Sequence, residues 1–390
     1  MRRLYIDVSV LTLATFITGI QRVTREVCLR IADDPEICEV FLQYNALKDC
    51  YHEIDSALFV RYYREGSGVK EKMVTKRRVD ISEIGPEAVF FDIDAVWLDR
   101  MKRSFLLPQL KAGGAKICCF LYDLIPIYYP QTCIERTVYN FLDYLGAHMQ
   151  FADLFLTTAQ ETKRELSELS ERVGARQIPC EVVPLGSDIR PAGASSGDGG
   201  ASFSEREGLT DRPFLLMVGT VEPRKNHKLL LDAYDLALRE RGYRIVFAGY
   251  MGWNMEEFEA RLHAHPDFGT GIRHYEGLGD ADIRDLYEHA RFLIFSSYSE
   301  GYGLPVVEAI QKGLPVMAAD IPVIREVGGD ACEYFPQDDP GALCEALARY
   351  EGEEDAYRAR RDSLKGLHFP SWDEAYGQIA GQLKPLLADE

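Results

Sequence analysis

The sequence predicts an α/β protein of two tandem domains, each with a parallel sheet covered by helices. Three observations predict this class. The chain has 390 residues, more than a single hydrophobic core usually organises. Apolar runs of strand length alternate with segments of helical period in both halves. A stretch rich in Gly, Ser and Ala separates these halves. Strands without polar alternation are buried on both faces, as in parallel sheets flanked by helices.

Residues 1–190 form the predicted N-terminal domain. The predicted strands are "RLYIDVSVL", "EVFLQY", "AVFFDID", "AKICCFLYD" and "DLFLTTA". The predicted helices include "GIQRVTREVCLRIADD", "TVYNFLDYLGAHMQF" and "ETKRELSELSERVG". A run "EVVPLGSD" closes this half.

Residues 191–211 form the predicted linker, because "PAGASSGDGGASFSEREG" is rich in small and polar residues. Residues 212–370 form the predicted second domain. Its strands are "FLLMVG", "RIVFAGY", "IRHYEG", "FLIFSS" and "PVMAAD". Its helices are "HKLLLDAYDLALRERG", "NMEEFEARLHAH", "ADIRDLYEHA", "PVVEAIQKG" and "PVIREVGG". The sequence of residues 371–390 predicts a last amphipathic helix, which begins near Ser371.

Composition excludes several classes of function. The formal net charge of −18 disfavours nucleic-acid binding through charge. No apolar run reaches the ~18 residues that a membrane span needs. The N-terminus "MRRLYIDVSVL" is typical of a first strand and not of a signal peptide. Nine cysteines without a CxxC pair indicate reduced thiols, so we expect a cytoplasmic protein.

Two glutamates flank a turn in "FSSYSEGYGLPVVEAIQKGLPV", residues 295–316. The strand places this loop at a carboxyl end of the sheet, and Pro305 is suited to the first position of the next helix. Backbone donors after Gly303, at that helix start, would form an anion site suited to phosphate. Glu300 and Glu308 could accept hydrogen bonds from sugar hydroxyls. The alternative for Glu308 is that it only complements the helix dipole.

Two adjacent cations lie in "VGTVEPRKNHKLLL", residues 218–231. A strand ends at Gly219 and a helix is predicted to begin near Asn226 or His227. Arg224 and Lys225 therefore occupy a loop at the carboxyl edge of the sheet, where they could hold a diphosphate. The alternative is a solvated pair on the surface.

These clusters together resemble the carboxyl-terminal signature of the retaining glycosyltransferases with the GT-B fold, family 4. The resemblance covers roughly residues 214–336 and includes "REVGGDA". In the first half, "TGIQRVTREV", "YDLIP", "ADLFLTTAQETKREL" and "VPLGSD" fit in order and spacing.

The resemblance implies two Rossmann-like domains that face each other across a cleft, with the last helix returning to the first domain. It implies transfer of a sugar from a nucleotide-sugar donor to a glycan or lipid-linked acceptor, in surface polysaccharide synthesis. GDP-mannose is the first candidate donor. The nucleotide-sugar is a substrate, and no cofactor or metal is expected.

The resemblance also assigns site residues. Catalytic roles fall to Arg224 and Lys225, which would hold the diphosphate, and to Glu300, which would contact the transferred sugar. Glu308 would accept from the ribose. Further donor-binding positions are Gly303 and Leu304, whose amides would contact sugar and phosphate, Gly219, the pair Gly277 and Leu278 near the base, and Gly19 in a loop that approaches the donor phosphate and the acceptor.

The sequence departs from the family's pattern at Tyr122, where many members have a histidine beside the aspartate that is Asp123 here. Both residues are candidate donor or acceptor contacts, and the phenol puts the identity of the sugar in doubt. Ser296 replaces a proline common in the family, with little expected effect.

Three further signals have structural alternatives. Asp92 and Asp94 form a D-x-D pair that could hold a metal, although a cleft-edge or structural role is favoured because the cations already match a diphosphate. Residues 61–78 are locally basic, which fits weak contact with anionic lipid at the inner face of a membrane, although a flexible, solvated loop is favoured. Three histidines, His263, His265 and His274, lack zinc-site spacing.

Two other functions compete with sugar transfer. One is a different reaction on the same fold, by an epimerase or a sugar phosphorylase. The other is a non-catalytic, transferase-like scaffold. The cations and the paired glutamates argue against both, whereas Tyr122 favours the scaffold.

Overall fold

The computed structural model describes residues 2–15, 17–188 and 201–388. The chain divides into two compact units. Unit 1 comprises Met1–Pro130, Glu135–Gly186 and Pro370–Glu390. Unit 2 comprises Gln131–Ile134 and Ser187–Phe369. Of the predicted linker, residues 191–200 lie outside the described residues.

Unit 1 contains an eight-stranded sheet of order β4-β3-β2-β1-β5-β6-β7-β8. The strands are β1 Arg3–Asp7, β2 Cys38–Asn45, β3 Cys50–Ile54, β4 Val74–Val79, β5 Ala88–Asp92, β6 Lys116–Leu121, β7 Leu154–Thr157 and β8 Cys180–Val182. The helices are α1 Ser9–Leu13, α2 Gly19–Asp33, α3 Ser56–Glu65, α4 Arg103–Ala112, α5 Ile125–Tyr128, α6 Glu135–Phe151 and α7 Gln160–Arg172. β1, β2 and β5–β8 are parallel, and β5 is buried throughout, as its apolar run predicts.

The predicted parallel arrangement holds for six of the eight strands, and β3 and β4 add an antiparallel extension at one side of the sheet. β3 pairs antiparallel with β2, and β4 pairs antiparallel with β3. The prediction that residues 61–78 form a flexible loop is wrong, because they contain the end of α3, a 3-10 turn at Lys70–Met73 and most of β4. β4 has exposed Lys and Arg side chains, which are typical of an edge strand.

The predicted first strand is shorter than its apolar run. β1 ends at Asp7, and α1 begins two residues later. The Asp7 carboxylate explains the change, since its Oδ1 accepts from the Ser9 amide at 3.0 Å. Such a local bond turns the backbone out of the strand.

Unit 2 contains a six-stranded sheet of order β11-β10-β9-β12-β13-β14, in which every pair is parallel. The strands are β9 Phe214–Val218, β10 Arg244–Ala248, β11 Ile272–Tyr275, β12 Phe292–Phe295, β13 Val316–Ala319 and β14 Cys332–Phe335. The helices are α8 Phe203–Arg206, α9 His227–Ala233, α10 Glu256–Ala264, α11 Asp280–His289, α12 Leu304–Gln311, α13 Pro322–Gly328, α14 Pro340–Ala348 and α15 Glu354–Ser363. α8 lies in the described part of the predicted linker, where Ser202 caps it.

The neighbours β9 and β12 are distant in sequence but adjacent in the sheet of unit 2. Their loops therefore leave the same edge side by side. In open parallel sheets, ligands bind at the carboxyl ends of strands where the order of connections reverses. This is the position that both sequence clusters occupy.

The last helix, α16 Trp372–Leu387, packs within unit 1. The Ser371 hydroxyl caps it by accepting from the Glu374 amide, which confirms the predicted start. Trp372 is 2% exposed. A Cβ added at Gly186 would lie 2.5 Å from the Trp372 Cα, so only glycine permits this approach. The helix is thus held by close packing and not by surface contacts alone.

Candidate functional site

The loops after β9 and β12 are joined through a buried serine. The Ser296 hydroxyl donates to the carbonyl oxygens of Lys225 and Asn226 at 2.9 and 3.0 Å. The Tyr298 amide donates to the Arg224 carbonyl at 2.9 Å. These bonds fix the cation loop against the loop that contains Glu300.

Both cations contact one carboxylate. Arg224 Nη1 lies 2.6 Å from Glu300 Oε1, and Lys225 Nζ lies 3.1 Å from the same oxygen. The Ser297 hydroxyl donates to this oxygen at 2.8 Å. The structure therefore brings together three residues that the sequence predicts as catalytic, although Lys225 and Glu300 are 75 residues apart.

The charge of Glu300 is stabilised by these contacts. Burial by itself would raise the pKa of the carboxyl group. The charges of Arg224 and Lys225, with hydrogen bonds from Arg224 and Ser297, outweigh burial and lower the pKa to about 2. Glu300 is therefore ionised at neutral pH, which suits an acceptor of hydrogen bonds and not a proton donor.

Glu222 is a member of this cluster that sequence reasoning missed. Its side chain is buried, and its Oε1 accepts from Arg224 Nη2 at 2.5 Å. Arg224 Nη1 also donates to the Ser299 carbonyl at 2.6 Å. The guanidinium is thus positioned from two sides. The only sequence signal was an acid two residues before the arginine, which is common on exposed loops.

Gly219 allows Lys225 to approach the backbone at the end of β9. Its φ is +128°, a region that residues with side chains rarely adopt. A Cβ at Gly219 would lie 3.1 Å from Lys225 Cε. The Lys225 Nζ also lies 5.8 Å from the centre of the Phe295 ring. The glycine thus provides space for the lysine stem.

Gly303 precedes α12 with a φ of +97°. The helix begins at Leu304, one residue before the predicted first position, and Pro305 occupies its first turn. A Cβ at Gly303 would lie 2.5 Å from Ile324 Cδ1 on α13. The sharp turn and this packing fix the start of α12, where free backbone donors occur in any helix.

Glu308 is buried in α12 and has a partner that the sequence did not reveal. The Tyr287 hydroxyl, from α11, donates to Glu308 Oε2 at 2.9 Å. Both side chains are at most 4% exposed. A buried carboxylate needs such donors, and the Tyr287 hydroxyl provides one.

Gly277 and Leu278 lie in the loop between β11 and α11. Gly277 has a φ of +70°, and a Cβ there would lie 3.2 Å from the Tyr250 hydroxyl. Leu278 is half-buried. The structure thus positions this pair at the same edge of the sheet as the other loops.

The predicted contacts Gly19, Tyr122 and Asp123 all belong to unit 1. Gly19 is the first residue of α2 and not part of the preceding loop, with Thr18 at the N-cap. Tyr122 is buried, and its hydroxyl donates to the Ile93 carbonyl at 2.7 Å. Burial raises its pKa. Asp123 Oδ1 accepts from the Ile125 amide at 3.0 Å, ahead of α5.

The D-x-D carboxylates are both bound by protein groups. Asp92 pairs with Arg103 at 2.6 Å and with His148 at 3.1 Å. Asp94 accepts from the Leu11 and Ala95 amides at 2.7 and 2.8 Å. Burial raises the pKa of Asp94 to about 7, whereas in Asp92 the effect of burial is outweighed by Arg103 and the pKa falls to about 2. This arrangement fits a structural role for the pair.

The basic segment 61–78 has much of its charge paired. Arg64 contacts Asp33, Arg77 contacts Glu53 and Glu83, and Lys70 donates to the Ala14 carbonyl. None of the helices in the described part of the chain has the length and hydropathy needed to cross a bilayer.

The three histidines that lack zinc-site spacing make hydrogen bonds and packing contacts. His265 Nε2 lies 2.7 Å from Asp235 Oδ1, and His274 Nε2 lies 2.8 Å from the Gly249 carbonyl. The His263 ring packs edge-on against Phe268. Across residues 2–15, 17–188 and 201–388, no three side chains of the His, Cys, Asp and Glu types gather as a metal site would require.

Residues 202–363 match the family described as "Glycosyl transferases group 1". Among curated proteins, the chain is 30% identical over 371 residues to an Escherichia coli protein named "Serotype-specific mannosyltransferase WbdA". This match covers 90% of the chain and 42% of the relative, so the chain spans less than half of that protein. The E. coli "O-antigen chain mannosyltransferase B" is 29% identical over 215 residues, covering 53% of the chain and 52% of the relative.

Solved structures agree over nearly the whole chain. Anabaena HepE, solved with UDP and glucose, has a TM-score of 0.69 at 13% identity and covers 99% of this chain and 100% of its own. The sucrose-phosphate synthase of Thermosynechococcus elongatus has a TM-score of 0.67 at 14% identity, with 99% of each chain covered. The chain therefore has the GT-B fold, and its second unit contains a region of the glycosyl transferases group 1 type.

Proposed function

We propose that this chain is a retaining glycosyltransferase of family 4 that transfers a sugar from a nucleotide-sugar donor to a glycan or lipid-linked acceptor. One observation carries the proposal: Arg224, Lys225 and Glu300 converge where β9 and β12 end. Two cations suit a diphosphate, and an ionised carboxylate suits sugar hydroxyls.

Arg224 and Lys225 would stabilise the charge that develops on the leaving diphosphate. In retention by front-face attack, the departing phosphate oxygen accepts the proton of the acceptor hydroxyl. The protein then needs no general base, and its contribution is electrostatic. The hydrogen bonds that Arg224 donates to Glu222 and to the Ser299 carbonyl support this role, because they fix the guanidinium before the reaction.

The other predicted residues would complete the donor site. Glu308, oriented by Tyr287, would accept from the ribose. The start of α12 at Gly303 and Leu304 would bind sugar and phosphate, and the loop at Gly277 and Leu278 would pack on the base. For Gly19 we propose an approach to the donor phosphate and the acceptor, and for Tyr122 and Asp123 a contact with the donor or the acceptor.

Mannose from GDP-mannose is the proposed donor, because the relatives named above are mannosyltransferases. The name of the second one includes an O-antigen chain, which supports a glycan acceptor in surface polysaccharide synthesis. Since HepE was solved with UDP and glucose, UDP-sugars are the alternative donors to compare with GDP-mannose.

The test is a screen of GDP-, UDP-, ADP- and dTDP-sugars. Thermal shift would identify the bound donor, and release of nucleoside diphosphate with an acceptor would measure transfer. NMR of the product would give the anomeric configuration, and an inverted product would contradict retention. Tight nucleotide binding without release would contradict transfer and favour the scaffold. Conversion of the donor sugar without an acceptor would indicate an epimerase.

A further inference from the structure

The carboxylate of Glu300 uses its two oxygens unequally. Arg224, Lys225 and Ser297 all contact Oε1, at 2.6, 3.1 and 2.8 Å. Within the part of the chain that the structure describes, Oε2 has no assigned partner, and the side chain is 10% exposed. One oxygen therefore holds the cations, while the other can accept from a ligand.

The cluster is balanced in charge. Glu222 and Glu300 contribute two negative charges, and Arg224 and Lys225 contribute two positive charges. A diphosphate that approaches the cations thus also meets the charge of Glu300, which contacts both of them. This repulsion acts on every diphosphate, whatever group the ligand carries.

We propose that Glu300 makes the cation pair select a sugar-bearing diphosphate over a bare one. The inference rests on the proposed function, because it takes the cations as the diphosphate site. Both ligands meet the same repulsion, but only a ligand with sugar hydroxyls can donate to Oε2. Hydrogen bonds to an ionised carboxylate are stronger than neutral ones. Once the sugar has been transferred, the nucleoside diphosphate no longer has sugar hydroxyls that donate to Oε2. The repulsion from Glu300 is then uncompensated, which favours release of the nucleoside diphosphate.

The test compares three ligands by calorimetry: pyrophosphate, GDP and GDP-mannose. Glu300→Gln keeps the size of the side chain but removes its charge. We expect pyrophosphate and GDP to bind about tenfold more tightly to this variant, the scale of one unit charge at such distances in a partly screened site. GDP-mannose binding should be unchanged or weaker. The preference for the sugar-bearing ligand should therefore fall.

Glu222→Gln is the matched control. It removes one negative charge that contacts the Arg224 guanidinium, as Glu300→Gln does. Glu222 contacts Nη2, whereas Glu300 contacts Nη1. We expect it to change the binding of GDP and GDP-mannose by a similar factor and to leave their ratio intact. If the donor contains another nucleotide, the same measurement uses that nucleoside diphosphate in place of GDP and its sugar conjugate in place of GDP-mannose.

The inference would be overturned if Glu300→Gln bound pyrophosphate and GDP no more tightly than the wild type does. It would also be overturned if the ratio of GDP-mannose affinity to GDP affinity were the same in Glu300→Gln and Glu222→Gln. Glu300→Asp provides a second test if the first variant unfolds. It keeps the negative charge but draws both carboxylate oxygens back by one methylene group. It should therefore bind pyrophosphate no more tightly than the wild type does and lose the preference for GDP-mannose. A wild type that binds no diphosphate and transfers no sugar would instead overturn the proposed function.

Discussion

At the residue scale, Arg224 and Lys225 approach the same carboxylate through different chemistry. Arg224 presents a guanidinium fixed by Glu222, whereas Lys225 presents a point charge beside Gly219. Each would stabilise the leaving diphosphate. We expect Arg224→Ala and Lys225→Ala each to lower turnover more than about tenfold, as loss of a charge-stabilising donor does. Release of nucleoside diphosphate provides the measurement.

Arg358→Ala is the control for this pair, because Arg358 lies on α15 and is 70% exposed. It should retain wild-type turnover. Near-normal turnover in both cation variants would remove Arg224 and Lys225 from the mechanism.

Glu300 also makes a prediction about stability. Its pKa in the folded chain is about 2, below the usual 4.5. A lowered pKa contributes stability that is present above the unfolded value and is lost as the pH falls through the folded value. The unfolding free energy of the wild type relative to Glu300→Gln should therefore be constant above pH 4.5 and decrease between pH 4.5 and 2. Urea titrations at a series of pH values measure it, and a difference that is independent of pH would contradict the ion pair.

The sequence predicted the residues at the centre of the candidate site, but not their supports. Arg224, Lys225 and Glu300 were identifiable because each follows an apolar strand at the same edge of a parallel sheet. Glu222 and Tyr287 could not be identified, because their importance depends on side-chain contacts that periodicity does not encode. The Tyr287 contact joins two helices through side chains 21 residues apart.

At the scale of elements, the start of α12 depends on a glycine. Gly303→Ala must accommodate a positive φ and a Cβ placed 2.5 Å from Ile324 Cδ1. Gly313, just beyond the same helix, also has a positive φ, but nothing lies within 4 Å of its Cβ position. We expect Gly313→Ala to cost about 1 kcal/mol and Gly303→Ala about 1–3 kcal/mol more. Chemical denaturation measures both.

Shortening the Ile324 side chain tests whether its contact causes the larger stability loss expected for Gly303→Ala. Ile324→Val removes the methyl group that the new Cβ would meet, so it should recover part of the stability lost in Gly303→Ala. Equal losses at Gly303 and Gly313 would show that packing against α13 does not matter.

The elements that were predicted well are the strands with continuous apolar runs, such as β5, β6, β9 and β12. Burial on both faces of a parallel sheet produces that pattern directly. β4 was missed because it is an edge strand whose Lys and Arg side chains are exposed, which makes it similar to a loop. β3 was missed because His52 and Glu53 interrupt its short apolar pattern. The end of β1 was misjudged because Asp7 turns the chain through a local hydrogen bond, whereas Val8, Val10 and Leu11 continue the apolar pattern beyond it.

At the scale of the whole molecule, α16 contributes to the core of unit 1 from the far end of the chain. Trp372→Ala removes a side chain that is 2% exposed. We expect a loss of about 3–5 kcal/mol in unfolding free energy, the usual cost for a large aromatic side chain. Leu367→Ala, at a site 45% exposed, should change stability little. Urea denaturation compares them, and similar midpoints would mean that the burial of Trp372 adds no stability.

Unit 1 is discontinuous in sequence, since its last segment, Pro370–Glu390, follows the whole of Ser187–Phe369. A ribosome therefore completes unit 2 before it delivers the helix that unit 1 requires. Domains generally fold in the order of synthesis, but here the unit begun first is completed last. During that interval the surface around Gly186, against which Trp372 packs, has no helix to cover it. The nascent chain is thus most open to chaperones, and to wrong pairings, until α16 emerges.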